Sequence, residues 1–151
     1  PLTQAVRIAG TPVLTATVTS AAAAGEVIPL VYDVDPAGNA TFVDRGASQV
    51  GAGTTAVSVT LYPQDWRFAA GHRIGVLLTG DDDFWFEPRS QATVTASHAS
   101  LTLPVLGCGH NSYVTSGSPN YLPRTVPTFK LALSPVGRTV AAQGLGSGRC
   151  D

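Results

Sequence analysis

Apolar and polar residues alternate with a period of two along most of the chain. Leu14, Ala16 and Val18 alternate with Thr15, Thr17 and Thr19. Ile28, Leu30, Tyr32 and Val34 fall on one side of a second run, and Val57, Val59 and Leu61 alternate with Ser58 and Thr60. The pattern returns in Ile74, Val76 and Leu78, in Ala92, Val94 and Ala96, and in Phe129, Leu131 and Leu133. Successive side chains of a strand point to opposite faces of its sheet, so each run predicts a strand with one apolar face. Short strands separated by turn signals predict an all-β antiparallel sandwich of about eight to ten strands.

The turns carry their own chemistry. Asp35-Pro36-Ala37-Gly38 has Asp at the first position, Pro at the second and Gly at the fourth, the preference of a type I turn. It predicts a hairpin with arms near Val27–Val34 and Ala40–Arg45. Gly51-Ala52-Gly53 marks a second loop, Pro63 ends the strand through Leu61, and Gly71 precedes a new strand at Arg73. Asp65-Trp66-Arg67-Phe68 leads into that corner. Ala21–Ala24 contains helix formers, but one turn closed by Gly25 does not hold in water, so it is expected to be a loop. From Gly107 to Thr128 the periodicity fades and Gly and Pro accumulate, which predicts a long irregular connection.

Composition narrows the class. The chain has 151 residues, 44% apolar and 13% charged, enough for a sizeable core and too apolar for disorder. A net charge of -1, with its arginines scattered, argues against nucleic acid as a partner. No apolar run is long enough to span a membrane. The chain begins at Pro1 and contains no Met, as expected of a piece cut from a longer polypeptide.

Cys108 and Cys150 flank the Gly- and Pro-rich end of the chain. Paired, they would restrict the unfolded chain by roughly 4 kcal/mol in the loop-entropy model, and would imply an exported protein. Unpaired, they are two distant thiols.

Several segments together resemble one family. Arg7-Ile8-Ala9-Gly10-Thr11-Pro12 is followed by Tyr32-Asp33-Val34-Asp35-Pro36-Ala37-Gly38, Arg45-Gly46, Gly71-His72-Arg73-Ile74 and Leu101-Thr102-Leu103-Pro104-Val105. In this order they are similar to the C-terminal non-catalytic domain of the Xaa-Pro dipeptidyl-peptidase and bacterial cocaine esterase group of serine hydrolases. The resemblance implies a jelly-roll, galactose-binding-like sandwich packed on an α/β-hydrolase domain that carries the Ser-His-Asp triad. It implies a structural role for Gly71, His72 and Arg73; Asp35 and Gly38 are expected to be structural through their turn chemistry, and the protein is expected to be an exported, bacterial one with Cys108 and Cys150 paired. It covers Pro1 to Val105. The expected organisation is one domain over 1–151, with a core at 1–105 and an extension at 106–151.

No serine stands in a Gly-x-Ser-x-Gly elbow, since Ser147 has Leu145 two residues before it. No residue is therefore expected to be catalytic. His72 reads either as a ligand contact or as an imidazole that bonds loop carbonyls and holds the corner. His98 and His110 lack partners at zinc spacing. Asp81, Asp82 and Asp83 are calcium candidates by charge alone. Their adjacent side chains diverge and the EF-hand spacing is absent, so a solvated acidic loop is the plainer reading and no cofactor is expected. Asn39-Ala40-Thr41 matches a glycosylation sequon, a short pattern that recurs by chance.

Phe84-Trp85-Phe86 cannot all face one core. With Trp66, Tyr113 and Tyr121 they are candidates for a domain interface or a sugar-stacking platform, against the alternative of core and loop packing. The leading expectation is a non-catalytic accessory domain that packs on a peptidase and shapes substrate access. The alternatives are a carbohydrate-binding module and a stand-alone structural or interaction domain.

Overall fold

The computed structural model describes residues 1–21, 25–80, 93–106 and 128–130. The described residues form ten strands and no helix. They are β1 (Val6–Gly10), β2 (Val13–Ser20), β3 (Gly25–Val34), β4 (Asn39–Arg45), β5 (Ser48–Val50), β6 (Gly53–Thr60), β7 (Gln64–Phe68), β8 (Arg73–Thr79), β9 (Val94–Thr102) and β10 (Thr128–Lys130). Every described pairing is antiparallel. The fold is an open antiparallel β-sandwich and not a closed barrel.

β3 organises the first sheet. One edge pairs with β5 through Gly25–Val27 and then with β4 through Leu30–Val34, while the other edge pairs with β8. β10 extends this sheet beyond β4. The second sheet runs β6–β2–β9. β1 and β7 form a separate pair, with Ile8 opposite Trp66.

The core lies between these layers. Val27, Val31, Val43 and Val50 come from the first sheet, Leu14, Ala16 and Val18 from β2, and Ile8 and Phe68 from the β1–β7 pair. Burying a side chain of this size contributes about 1.5–3 kcal/mol. The outer face of β2 carries Thr15, Thr17 and Thr19, which produces the alternation read from the sequence.

β3 departs from simple alternation. Ile28, Leu30, Tyr32 and Val34 share one face as expected, and form a second buried cluster with Ala40 and the partly buried Phe42. The opposite face, with Val27, Val31 and Asp33, is buried as well. Strand periodicity reports which residues share a face; it does not report whether the other face is covered.

Pro29 sits inside this central strand without breaking it. The N–H and C=O of a strand residue point to the same edge, and the Pro29 carbonyl accepts from Gly46 N at 3.1 Å. The missing N–H therefore falls where β3 passes from β5 to β4, outside both ladders.

Candidate functional site

Two turns and one buried carboxylate bring the singled-out polar residues together. In the β3–β4 hairpin, Gly38 N donates to Asp35 O at 3.0 Å, and Asp35 N donates to Asn39 O at 2.9 Å. Gly38 has φ +87°, the left-handed value that a type I turn with a bulge requires there. The Asp35 carboxylate accepts from Asn39 N at 2.8 Å and from Asn39 Nδ2 at 2.7 Å. These bonds, the side-chain one first, hold its carboxyl below the usual aspartate value. The sequon amide of Asn39 is thus engaged within the hairpin.

The second turn joins β7 to β8. His72 N donates to Ala69 O at 3.2 Å. Leu2 is bound to the same corner by two backbone bonds: its N donates to His72 O at 2.7 Å, and its O accepts from Gly71 N at 2.8 Å. The imidazole of His72 reaches Asp33, with Nδ1 2.7 Å from Oδ1. Trp66 Nε1 donates to the other oxygen, Oδ2, at 3.1 Å. One carboxylate of β3 thereby ties together a strand and a corner that lie more than thirty residues away in sequence. The expected partner of His72 was a loop carbonyl; its side chain instead engages an acid on the inner face of β3.

Two further acids stand apart from this group. Asp65 takes a bidentate contact from Arg7, whose Nε lies 2.7 Å from Oδ1 and whose Nη2 meets Oδ2. That contact holds the Asp65 carboxyl low. Asp44 is only 1% exposed. Its Oδ1 accepts from Arg45 N at 2.7 Å and from Tyr62 N at 3.2 Å. Its Oδ2 is buried without a hydrogen-bond partner. Burial pushes the Asp44 carboxyl up, against the opposing pull of those two backbone N–H groups.

The chemistry available follows from these contacts. An imidazole oriented by a carboxylate is two-thirds of a hydrolytic triad. Among the described residues, however, no hydroxyl or thiol bonds His72, and no cluster of three His, Cys, Asp or Glu groups could hold a metal ion. The network joins strands.

Asp35 and Gly38 lie in the hairpin; Gly71, His72 and Arg73 form the corner and the start of β8. Trp66 is partly buried against the main core, with its indole N–H committed to Asp33. Phe84, Trp85, Phe86, Tyr113, Tyr121, Cys108, Cys150, Asp81, Asp82 and Asp83, the rest of the candidate aromatic platform with the candidate disulfide and calcium group, lie outside the described residues. Asp33 and Asp44 were not singled out from the sequence. Their signal is an acid inside an otherwise apolar strand, in Leu30–Val34 and in Phe42–Asp44.

A family model described as the X-Pro dipeptidyl-peptidase C-terminal non-catalytic domain matches residues 1–122. The match extends past Val105, into the Gly- and Pro-rich segment. Among curated proteins none matches the chain.

Proposed function

The chain belongs to the X-Pro dipeptidyl-peptidase C-terminal non-catalytic domain family, and from that premise we propose that it packs on the catalytic domain of an exported serine peptidase and helps shape the entrance for substrate. The family match over residues 1–122 carries this reading. The Asp33–His72–Trp66 contacts support it, because they spend the polar groups most suited to chemistry on holding strands together. In this reading the parent cleaves peptides or esters through an acyl-enzyme, and this chain supplies no member of the triad.

The test is to add the purified chain to a separately produced catalytic domain of the same parent. Association, and a change in KM for Xaa-Pro peptides or for activated esters, is the expected result. No association and no kinetic change would overturn the reading.

A further inference from the structure

Among the described residues the sandwich is open on one side. Gly46, at the end of β4, abuts Val59 and Leu61 at the end of β6, so β4 and β6 lie on one side. β8 and β9, at the opposite edges of their sheets, therefore share the other. Directly across the ladder, Val31 and Leu30 of β3 are 1% and 8% exposed, whereas their β8 partners Val76 and Leu77 are 44% and 42% exposed. These two residues point to opposite faces, so β8 shows apolar surface on both. After Arg73 the strand carries no charge, and no described strand other than β3 pairs with it. Soluble proteins usually protect such an edge with charges, prolines or a covering element. On β9, Ala96 is exposed opposite the fully buried Val18.

The other broad face of the molecule differs. The outer side of β6–β2–β9 presents hydroxyls in register, with Thr15 between Ser58 and Ser100 and Thr19 between Thr54 and Thr95. It is solvated surface with no apolar run.

The path of the chain identifies the occupant of the β8 edge. In a C-terminal domain the polypeptide arrives from the catalytic domain through its first residues. Here Leu2 is hydrogen-bonded to Gly71 and His72, immediately before β8 begins. Val76 lies three residues further on, roughly 10 Å along the strand. The first residues of the domain thus lie beside the exposed apolar edge, and Asp33 fixes the corner to which they are bonded.

We propose that the β8 edge, centred on Val76 and Leu77, is the surface on which the catalytic domain docks, with the Leu2–His72 joint setting its position. This rests on the accessory-domain reading and adds the place of contact. An edge of this kind fits an apolar strand or loop of the partner.

The experiment measures binding of the separately produced catalytic domain to the wild-type chain and to Val76→Glu, Leu77→Glu and Thr15→Glu. Each variant is first checked by circular dichroism and by its melting temperature; both β8 side chains are more than two-fifths exposed, so native-like melting is expected. The expected result is that either β8 substitution weakens binding about tenfold or more, while Thr15→Glu, on the hydroxyl face, has no effect. If the wild-type chain binds and all three variants bind equally, the docking surface is overturned and the accessory-domain reading stands. Absence of wild-type binding overturns both. A wild-type dimer that Val76→Glu dissociates assigns the edge to a second copy of the chain and overturns the proposal. Should a glutamate variant melt early, Val76→Ser and Leu77→Ser replace it, with the same outcomes.

Discussion

At the scale of single residues, burial and hydrogen bonding divide the acids into two kinds. Asp35 and Asp65 are held low by their partners, so their contribution to stability is present at neutral pH and lost as pH falls through the lowered values. Asp44 behaves oppositely. Its carboxyl is raised by burial, so the folded state favours the protonated form. The stability this gives is complete below the unfolded value and is lost as pH rises through the raised folded value. Asp44→Asn keeps an acceptor for Arg45 N and Tyr62 N and removes the charge. Its melting temperature is expected to vary less than that of the wild type as pH rises above the ordinary aspartate range. An identical pH profile in thermal melts would show that Asp44 does not titrate in this way. The Arg7–Asp65 pair, with Asp65 half exposed, contributes less than about 1 kcal/mol.

At the scale of elements, two glycines separate backbone conformation from close packing. Gly38 sits at φ +87° with open space around it, so Gly38→Ala costs only the left-handed conformation, about 1 kcal/mol. Gly46 is buried between β4 and β5, where its N–H still bonds Pro29 of β3. A Cβ there would come within 2.9 Å of Thr60 O and 3.0 Å of Val59 Cγ1. Backbone on the facing segment cannot rotate away, so Gly46→Ala is expected to cost about 1–3 kcal/mol by overpacking. Denaturant midpoints should rank Gly46→Ala below Gly38→Ala. The reverse order would mean that β4 and β6 slide apart freely.

What the sequence revealed at this scale follows from the same physics. The β3–β4 hairpin was legible because Asp-Pro-Ala-Gly specifies its own turn. β2 and β6 were legible because each has one apolar face, and β8 because Ile74, Val76 and Leu78 keep the period of two. β1, β5 and β7 are short, and β7 carries exposed Asp65 and Arg67 between its inward residues, so no apolar run announces it. The role of Asp33 was hidden because its partners, Trp66 and His72, become neighbours only when β3 meets the β7–β8 corner.

At the scale of the whole molecule, the chain belongs to a family of non-catalytic domains, and the described contacts of Asp33 with Trp66 and His72 join its strands. The expectation of export rests on Cys108 and Cys150. If they pair, the intact mass of protein isolated from its natural source, alkylated without reduction, lies two mass units below that of the fully reduced chain before the alkyl groups are counted. Incorporation of two alkyl groups without reductant would show free thiols and remove the case for an oxidising compartment.

The long reach of β2 has a consequence for how the domain is made. Its Val13 pairs with Thr60 on one side and with Thr102 on the other. A ribosome delivers the first partner early and the second only after most of the framework has been synthesised. Until Val94–Thr102 emerges, β2 has one unfilled ladder and the second sheet lacks a strand. Such distant pairings slow folding, because loop closure must precede the contacts that reward it. The nascent domain therefore passes through an interval in which an apolar, half-paired sheet is exposed to whatever else is in the cell, and a chain cut short before Val94 would remain in that condition.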